Sequence, residues 1–157
     1  MARSELCLTL SCAPDDDGLG KIAVTVKSGA FSGEGEAWFD PIAVRETFVA
    51  ALRAFPLSTT APPTIEGGFW SRKKPRTLGQ CHLRIVVLPY NKVGALLVRV
   101  ELASESQKTA DIDLQHTVTT RFLTEYAAIA SFADDLDRVL DGSGRVSGQA
   151  ILSGIVT

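Results

Sequence analysis

The segment KIAVTVKSGAFSGEGEAWF, residues 21–39, decides the fold of this chain. Apolar side chains alternate with more polar ones along its first half, and a period of two is typical of a half-buried β-strand. A two-residue turn at Ser28-Gly29 would fold the segment back on itself and set Lys21 opposite Glu36. The sequence therefore predicts a β-hairpin with opposite charges facing each other on its outer side.

The inner side of this hairpin combines apolar residues with very small ones. The same register sets Val26 opposite Phe31, and it leaves the second strand almost without side chains at Gly33, Gly35 and Ala37. Glycine inside a strand often marks a place where another part of the chain approaches closely. We expect a helix to pack unusually close to the hairpin here.

A first helix is predicted directly after the hairpin, over about 41–55. Asp40 is a suitable N-cap, and Pro41 occupies the first helical position, where an N–H has no partner within the helix. Pro56 sets the end because proline disfavours helical geometry in the residue before it. The predicted apolar stripe consists of Val44, Phe48, Ala51, Leu52 and Phe55.

A second helix is predicted over about 125–141, with Thr124 as its N-cap and Gly142 closing it. Its apolar residues follow helical spacing and are Ile129, Phe132, Ala133, Leu136 and Leu140.

Alternating segments elsewhere raise the predicted number of strands to about eight. They lie at 4–12, 81–87, 96–102, around Val118 and Phe122, and at about 145–153. In the segment 81–87, Cys81 begins the inward-facing set.

The loop between the segments 81–87 and 96–102 sets their register. A two-residue turn would oppose Arg84 and Arg99, whereas a four-residue loop at 91–94 opposes Arg84 and Glu101. Like charges opposite each other destabilise a strand pair, so we predict the longer loop.

These elements predict a single α+β domain over residues 1–157. Hairpins dominate, and strands do not alternate one-to-one with helices, which favours an antiparallel sheet of about eight strands with both helices packed on one face. A chain of 157 residues buries enough surface to fold as one domain without disulfides or metals.

Composition excludes several functional classes. Lys and Arg number 16 against 18 Asp and Glu, and a net charge of −2 argues against a general nucleic-acid binder. No export signal and no apolar run of about 18 residues are visible, so we expect a cytoplasmic protein without a membrane partner. Cys7, Cys12 and Cys81 are read as reduced thiols. No cofactor, metal site or catalytic grouping is indicated.

Charged residues concentrate in two places that we treat as candidate binding surfaces. A basic loop follows two aromatic residues, and a projecting loop of this kind can capture an acidic partner surface, a phosphate or a nucleic acid. Acidic residues crowd the C-terminal half of the second helix, where they oppose the helix dipole. The candidate residues are Phe69, Trp70, Arg72, Lys73, Lys74 and Arg76 in the loop, and Asp134, Asp135 and Asp137 in the helix. Asp141 is the fourth acidic residue of this half of the helix.

Three motifs carry a resemblance to a known group. They are GEGEAWF at 33–39 before the Asp-capped helix, PTIEGGFW at 63–70, and the helix at 132–140. Together they resemble small uncharacterised bacterial α+β proteins, some relatives of which are treated as immunity proteins that neutralise toxins of neighbouring bacteria. The resemblance implies a stand-alone domain and no known catalytic residue.

The predicted function is non-enzymatic binding of a protein partner, and the resemblance implies a partner of the immunity type. The alternative is a small-ligand binder or an enzyme, with a pocket between sheet and helices lined by Arg84, Arg99 and Glu101. Homo-oligomerisation through a free sheet edge remains open.

Overall fold

The computed structural model of the protein describes residues 6–106, 114–141 and 148–155. The strands within these ranges are β1 (Leu6–Pro14), β2 (Gly20–Ser28), β3 (Phe31–Phe39), β4 (Thr64–Trp70), β5 (Leu78–Pro89), β6 (Ala95–Ala103), β7 (Thr117–Glu125) and β8 (Gln149–Ser153). Helix α1 joins Pro41–Val44, a π-helical turn at Arg45–Val49, and Ala50–Leu52; helix α2 is Tyr126–Val139. Parts of the predicted outer strands, at 4–5 and 145–147, and Gly142 lie outside the described residues.

The strands form two antiparallel sheets instead of the single sheet that we predicted. Each sheet has four strands, in the orders β3-β2-β1-β8 and β4-β5-β6-β7. The antiparallel α+β class is therefore confirmed, whereas the packing of both helices on one sheet is not. Hairpins are local and visible in the sequence, but the sheet that each hairpin joins depends on contacts between distant residues.

The β2–β3 hairpin forms, with a register shifted by two residues. Its turn residues are Gly29 and Ala30, and Gly29 has a φ of +62°, which glycine adopts without strain. Val26 consequently pairs with Gly33, and Phe31 is exposed. A shift of two keeps every side chain on its predicted face, because the faces of a strand alternate.

Strand β3 packs against the second sheet, not against a helix. It contacts each of the four strands of that sheet, so it lies across them. A Cβ added to Gly35 would collide with the backbone carbonyl of His82, and one added to Gly33 would collide with Val118. The small residues of β3 therefore allow close contact between the two sheets.

Helix α1 begins as predicted and ends earlier. The Asp40 carboxylate accepts hydrogen bonds from the N–H groups of Ile42 and Ala43, at 3.0 and 3.4 Å. The helix ends at Leu52, and Phe55 is 80% exposed instead of buried. The ring of Phe55 instead packs edge-on against Tyr126, with centroids 4.9 Å apart.

Helix α2 begins one residue after the prediction, and its N-cap is Glu125 instead of Thr124. Thr124 is fully buried at the end of β7, and its hydroxyl donates to the Ser153 carbonyl at 2.9 Å. This bond, together with one from the N–H of Ile155 to the carbonyl of Leu123 at 2.7 Å, connects the edges of the two sheets.

The two helices contribute to the same hydrophobic core as the two sheets. Helix α2 contacts β8, β7, β1 and α1. Its buried residues Ile129, Phe132 and Leu136 belong to the same core as Ala150 and Leu152 on the inner face of β8. Within the described ranges, no helix is long and apolar enough to cross a membrane.

Candidate binding surface at a basic hairpin tip

Residues 71–77 form a closed loop at the end of the β4–β5 hairpin. The N–H of Ser71 donates to the carbonyl of Thr77 at 2.8 Å, which closes the loop at its base. The Ser71 hydroxyl oxygen accepts hydrogen bonds from the N–H groups of Lys73 and Lys74, both at 3.2 Å. Arg76 has a φ of +60°, an uncommon conformation for a residue with a side chain. These constraints give the loop a defined backbone.

Four cations project from this loop, as the sequence predicted. We call Arg72, Lys73, Lys74 and Arg76 the basic tip; all four are exposed. None of them has an acidic partner among the described residues. Most other described arginines do have one within 4.0 Å: Arg45, Arg53, Arg84, Arg99 and Arg138. The basic tip is therefore a concentration of charge that the fold leaves uncompensated.

Two aromatic side chains stand at the base of the basic tip. Phe69 is 45% exposed and Trp70 is 52% exposed. The ring of Phe69 packs edge-on against the His82 ring, with centroids 4.6 Å apart. The surface thus combines positive charge with exposed aromatic area, and aromatic residues and arginine are enriched in protein interfaces.

The buried side chain of His82 supports the Phe69 ring from inside the protein, a role that we did not predict from the sequence. It is 2% exposed, and one ring nitrogen shares a hydrogen bond with the Gln80 side chain. Gln80 in turn accepts from the N–H of Ser106 at 3.0 Å. Burial lowers the pKa of His82 below its ordinary value of 6.5, so the ring is neutral at pH 7.

A β-bulge brings His82 into the interior. Gly67 pairs with Leu83, whereas the next residue, Gly68, pairs with Cys81, so His82 is an extra residue in β5. Because of the bulge, the residues before Leu83 face the opposite way from the predicted pattern, so Gln80 and His82 are buried. Cys81 is only partly buried, contrary to the inward position that we predicted. The consecutive glycines Gly67 and Gly68 were the sequence feature that could have indicated the bulge, because glycine inside a strand often accompanies one.

The acidic residues in and just after α2 contact two arginines of the first helical segment, Arg45 within α1 and Arg53 directly after it. Arg53 binds Asp134 at 2.8 Å and Asp137 at 2.6 Å. Arg45 lies 3.4 Å from Asp137 and 3.7 Å from Asp141. These contacts give the acidic residues a role in holding the two helices together.

The remaining member of that group, Asp135, forms an ion pair with Arg138 one turn further along α2. Each of the four acidic residues therefore has a basic partner within the chain, in contrast to the basic tip.

Arg84, Arg99 and Glu101 also lie together, on the outer face of the second sheet. Arg84 is opposite Glu101, as the four-residue loop predicted, and the two side chains are 2.9 Å apart. They alternate with fully buried residues such as Ile85 and Val100. The three residues therefore point away from the helices instead of lining a pocket between sheet and helices.

The cysteines are free, and two of them are partly desolvated. Burial raises the pKa of the Cys12 and Cys81 thiols, which disfavours the reactive thiolate. Among the described residues, no group of three His, Cys, Asp or Glu side chains could hold a metal ion.

Comparisons with models of protein families, with curated protein sequences and with solved structures found no match to this chain.

Proposed function

We propose that this chain is a non-enzymatic binding protein, and that the basic tip with Phe69 and Trp70 captures an acidic surface of a protein partner. The observation that carries the proposal is the absence of acidic partners for all four cations among the described residues. Charges of this kind accelerate encounter with a partner of opposite sign and favour correct over incorrect partners. A protein partner would also agree with the resemblance proposed from the sequence, to small bacterial proteins some relatives of which are treated as immunity proteins.

The acidic part of α2 contributes less to this proposal. Its carboxylates already bind Arg45, Arg53 and Arg138. A partner would have to replace these contacts, whereas it would meet no such competition at the basic tip. We therefore assign binding to the hairpin tip.

Trp70 provides a direct test. The Trp38→Phe variant leaves Trp70 as the only tryptophan of the chain. Titration with a 12-residue poly-glutamate peptide should change the Trp70 fluorescence in a saturable way. The affinity should fall steeply with added salt, because exposed charges are screened.

Charge reversal in the same background locates the site. Lys73→Glu with Lys74→Glu should weaken peptide binding at least tenfold. Lys92→Glu, in the loop at the opposite end of β5, is the control for charge reversal away from the tip and should bind like the parent. Equal binding by the double variant and the parent would remove the basic tip from the proposal. Tighter binding of a 12-nucleotide single-stranded DNA than of the peptide would favour a nucleic-acid partner instead.

A further inference from the structure

Two arginines face each other on the outer side of the second sheet. Arg99 in β6 pairs directly with Arg121 in β7. Opposed residues of antiparallel strands have Cβ atoms about 5 Å apart, and like charges in that arrangement destabilise the pair. Arg121 is exposed and Arg99 is partly exposed. The fold therefore keeps an unfavourable pair of cations on an open face.

Neighbouring acids do not balance this pair. Glu101 is 2.9 Å from Arg84, which also binds Glu66 at 2.9 Å. The other oxygen of Glu101 lies 3.5 Å from the Nε of Arg99, and that nitrogen is buried without any hydrogen-bond acceptor. Arg121 has no acidic partner among the described residues. Of the three arginines, only Arg84 and Arg99 thus contact these two glutamates, and the Nε of Arg99 lacks a hydrogen-bond acceptor.

Apolar side chains lie beside the arginine pair on the same face. Leu97 pairs with Leu123 at the next same-side position of β6 and β7, and Leu88 pairs with Leu97 from β5. All three leucines are partly exposed. A short hydrocarbon chain placed along them would leave water while remaining next to the two guanidinium groups.

We propose that Arg99 and Arg121 bind the oxyanion of a small alkyl carboxylate or alkyl phosphate, whose chain lies on Leu97 and Leu123. Guanidinium groups bind both kinds of oxyanion through paired, charge-assisted hydrogen bonds. The anion would relieve the repulsion between the arginines by binding the exposed parts of their guanidinium groups. This site is separate from the basic tip and does not depend on the function proposed for it.

Nuclear magnetic resonance of the arginine Nε–H groups tests the site directly. The complete chain is titrated with octyl phosphate and with octanoate, both below their aggregation concentrations, and with inorganic phosphate and acetate for comparison. The signals of Arg99 and Arg121 should shift in a saturable way, and each alkyl ligand should bind at least tenfold more tightly than its bare ion. Binding of only one alkyl ligand would support the site and identify its headgroup.

Two variants separate a specific site from general attraction of anions. Arg121→Gln should weaken binding of the alkyl ligands at least tenfold, and without ligand it should unfold at a higher temperature because the like-charge pair is gone. Arg138→Gln, an exposed arginine of α2, should bind normally. The proposal is overturned by equal affinity of Arg121→Gln and the parent, by equal affinity for octyl phosphate and inorganic phosphate, or by shifts confined to Arg72 and Arg76.

Discussion

At the scale of single residues, Gly35 has the most demanding position in the core. A Cβ at this position would overlap the carbonyl oxygen of His82, which is backbone and cannot rotate away. We expect Gly35→Ala to lower the free energy of unfolding by about 1–3 kcal/mol, the usual cost of overpacking. Urea denaturation followed by circular dichroism measures it.

Gly79→Ala is the matched control for this substitution. A Cβ at Gly79 would meet its nearest atom at 3.5 Å, an ordinary contact. Its effect on the free energy of unfolding should stay within about 0.5 kcal/mol. If both variants were equally stable, the close contact between the sheets would not exist in solution.

His82 gives the protein a predictable dependence on pH. Burial lowers its pKa in the folded chain, so the unfolded chain binds a proton more readily below pH 6.5. This contribution to stability is therefore complete above pH 6.5 and is lost as the pH falls towards the lowered pKa. The midpoint of urea denaturation, measured at several pH values from 7.5 down to 5, should fall accordingly.

Substitution of the two histidines separates this effect from other titrations. His82→Gln should have a shallower decrease in this range, whereas His116→Gln, which replaces an exposed histidine, should keep the full decrease. An unchanged profile in His82→Gln would mean that the ring does not titrate as its burial implies.

At the scale of elements, ion pairs connect the two helices across their exposed side. Arg53, Asp134 and Asp137 are all partly or well exposed, so their contacts are weakened by solvent. We expect Arg53→Met to cost about 0.2–1 kcal/mol of unfolding free energy at low salt and less in 1 M NaCl. Chemical denaturation at both salt concentrations measures it. A cost above about 2 kcal/mol would show that these contacts matter more to the core than their exposure suggests.

Element boundaries could be predicted where charge or capping chemistry decides them. The opposition of Arg84 and Glu101 selected the correct loop at 91–94, and Asp40 marked the start of α1. The β2–β3 register could not be fixed in this way, because Glu36 reaches Lys21 diagonally at 2.7 Å while Trp38 is the residue directly opposite. An ion pair between Lys21 and Glu36 can form whether the two residues are directly opposite or diagonal, so it does not distinguish the predicted register from the observed one.

At the scale of the whole molecule, the sequence predicted the elements other than β4, but not the division of the strands into two sheets. Alternation identifies which side chains of a strand are buried, and Leu8, Ile85 and Val98 are buried as predicted. It does not specify which other strand covers them. The crossing of β3 over the second sheet depends on contacts between residues far apart in sequence, and the glycines of β3 indicated close packing without identifying the partner.

The distribution of charge also became interpretable only in the folded chain. The sequence suggested two poles of similar interest, the basic loop and the acidic half of α2. In the structure, the acidic pole is paired with Arg45 and Arg138 in the two helices and with Arg53 at the end of α1, whereas the basic tip has no acidic partner among the described residues. This asymmetry is the basis for assigning partner binding to the hairpin tip.

Chemical-shift mapping of the ¹⁵N-labelled chain, titrated with the 12-residue poly-glutamate peptide, tests that assignment most directly. We predict that the largest amide shifts at saturation fall within residues 69–77 and that they disappear in the variant with Lys73→Glu and Lys74→Glu. Largest shifts along α2, or unchanged shifts in that variant, would contradict the assignment.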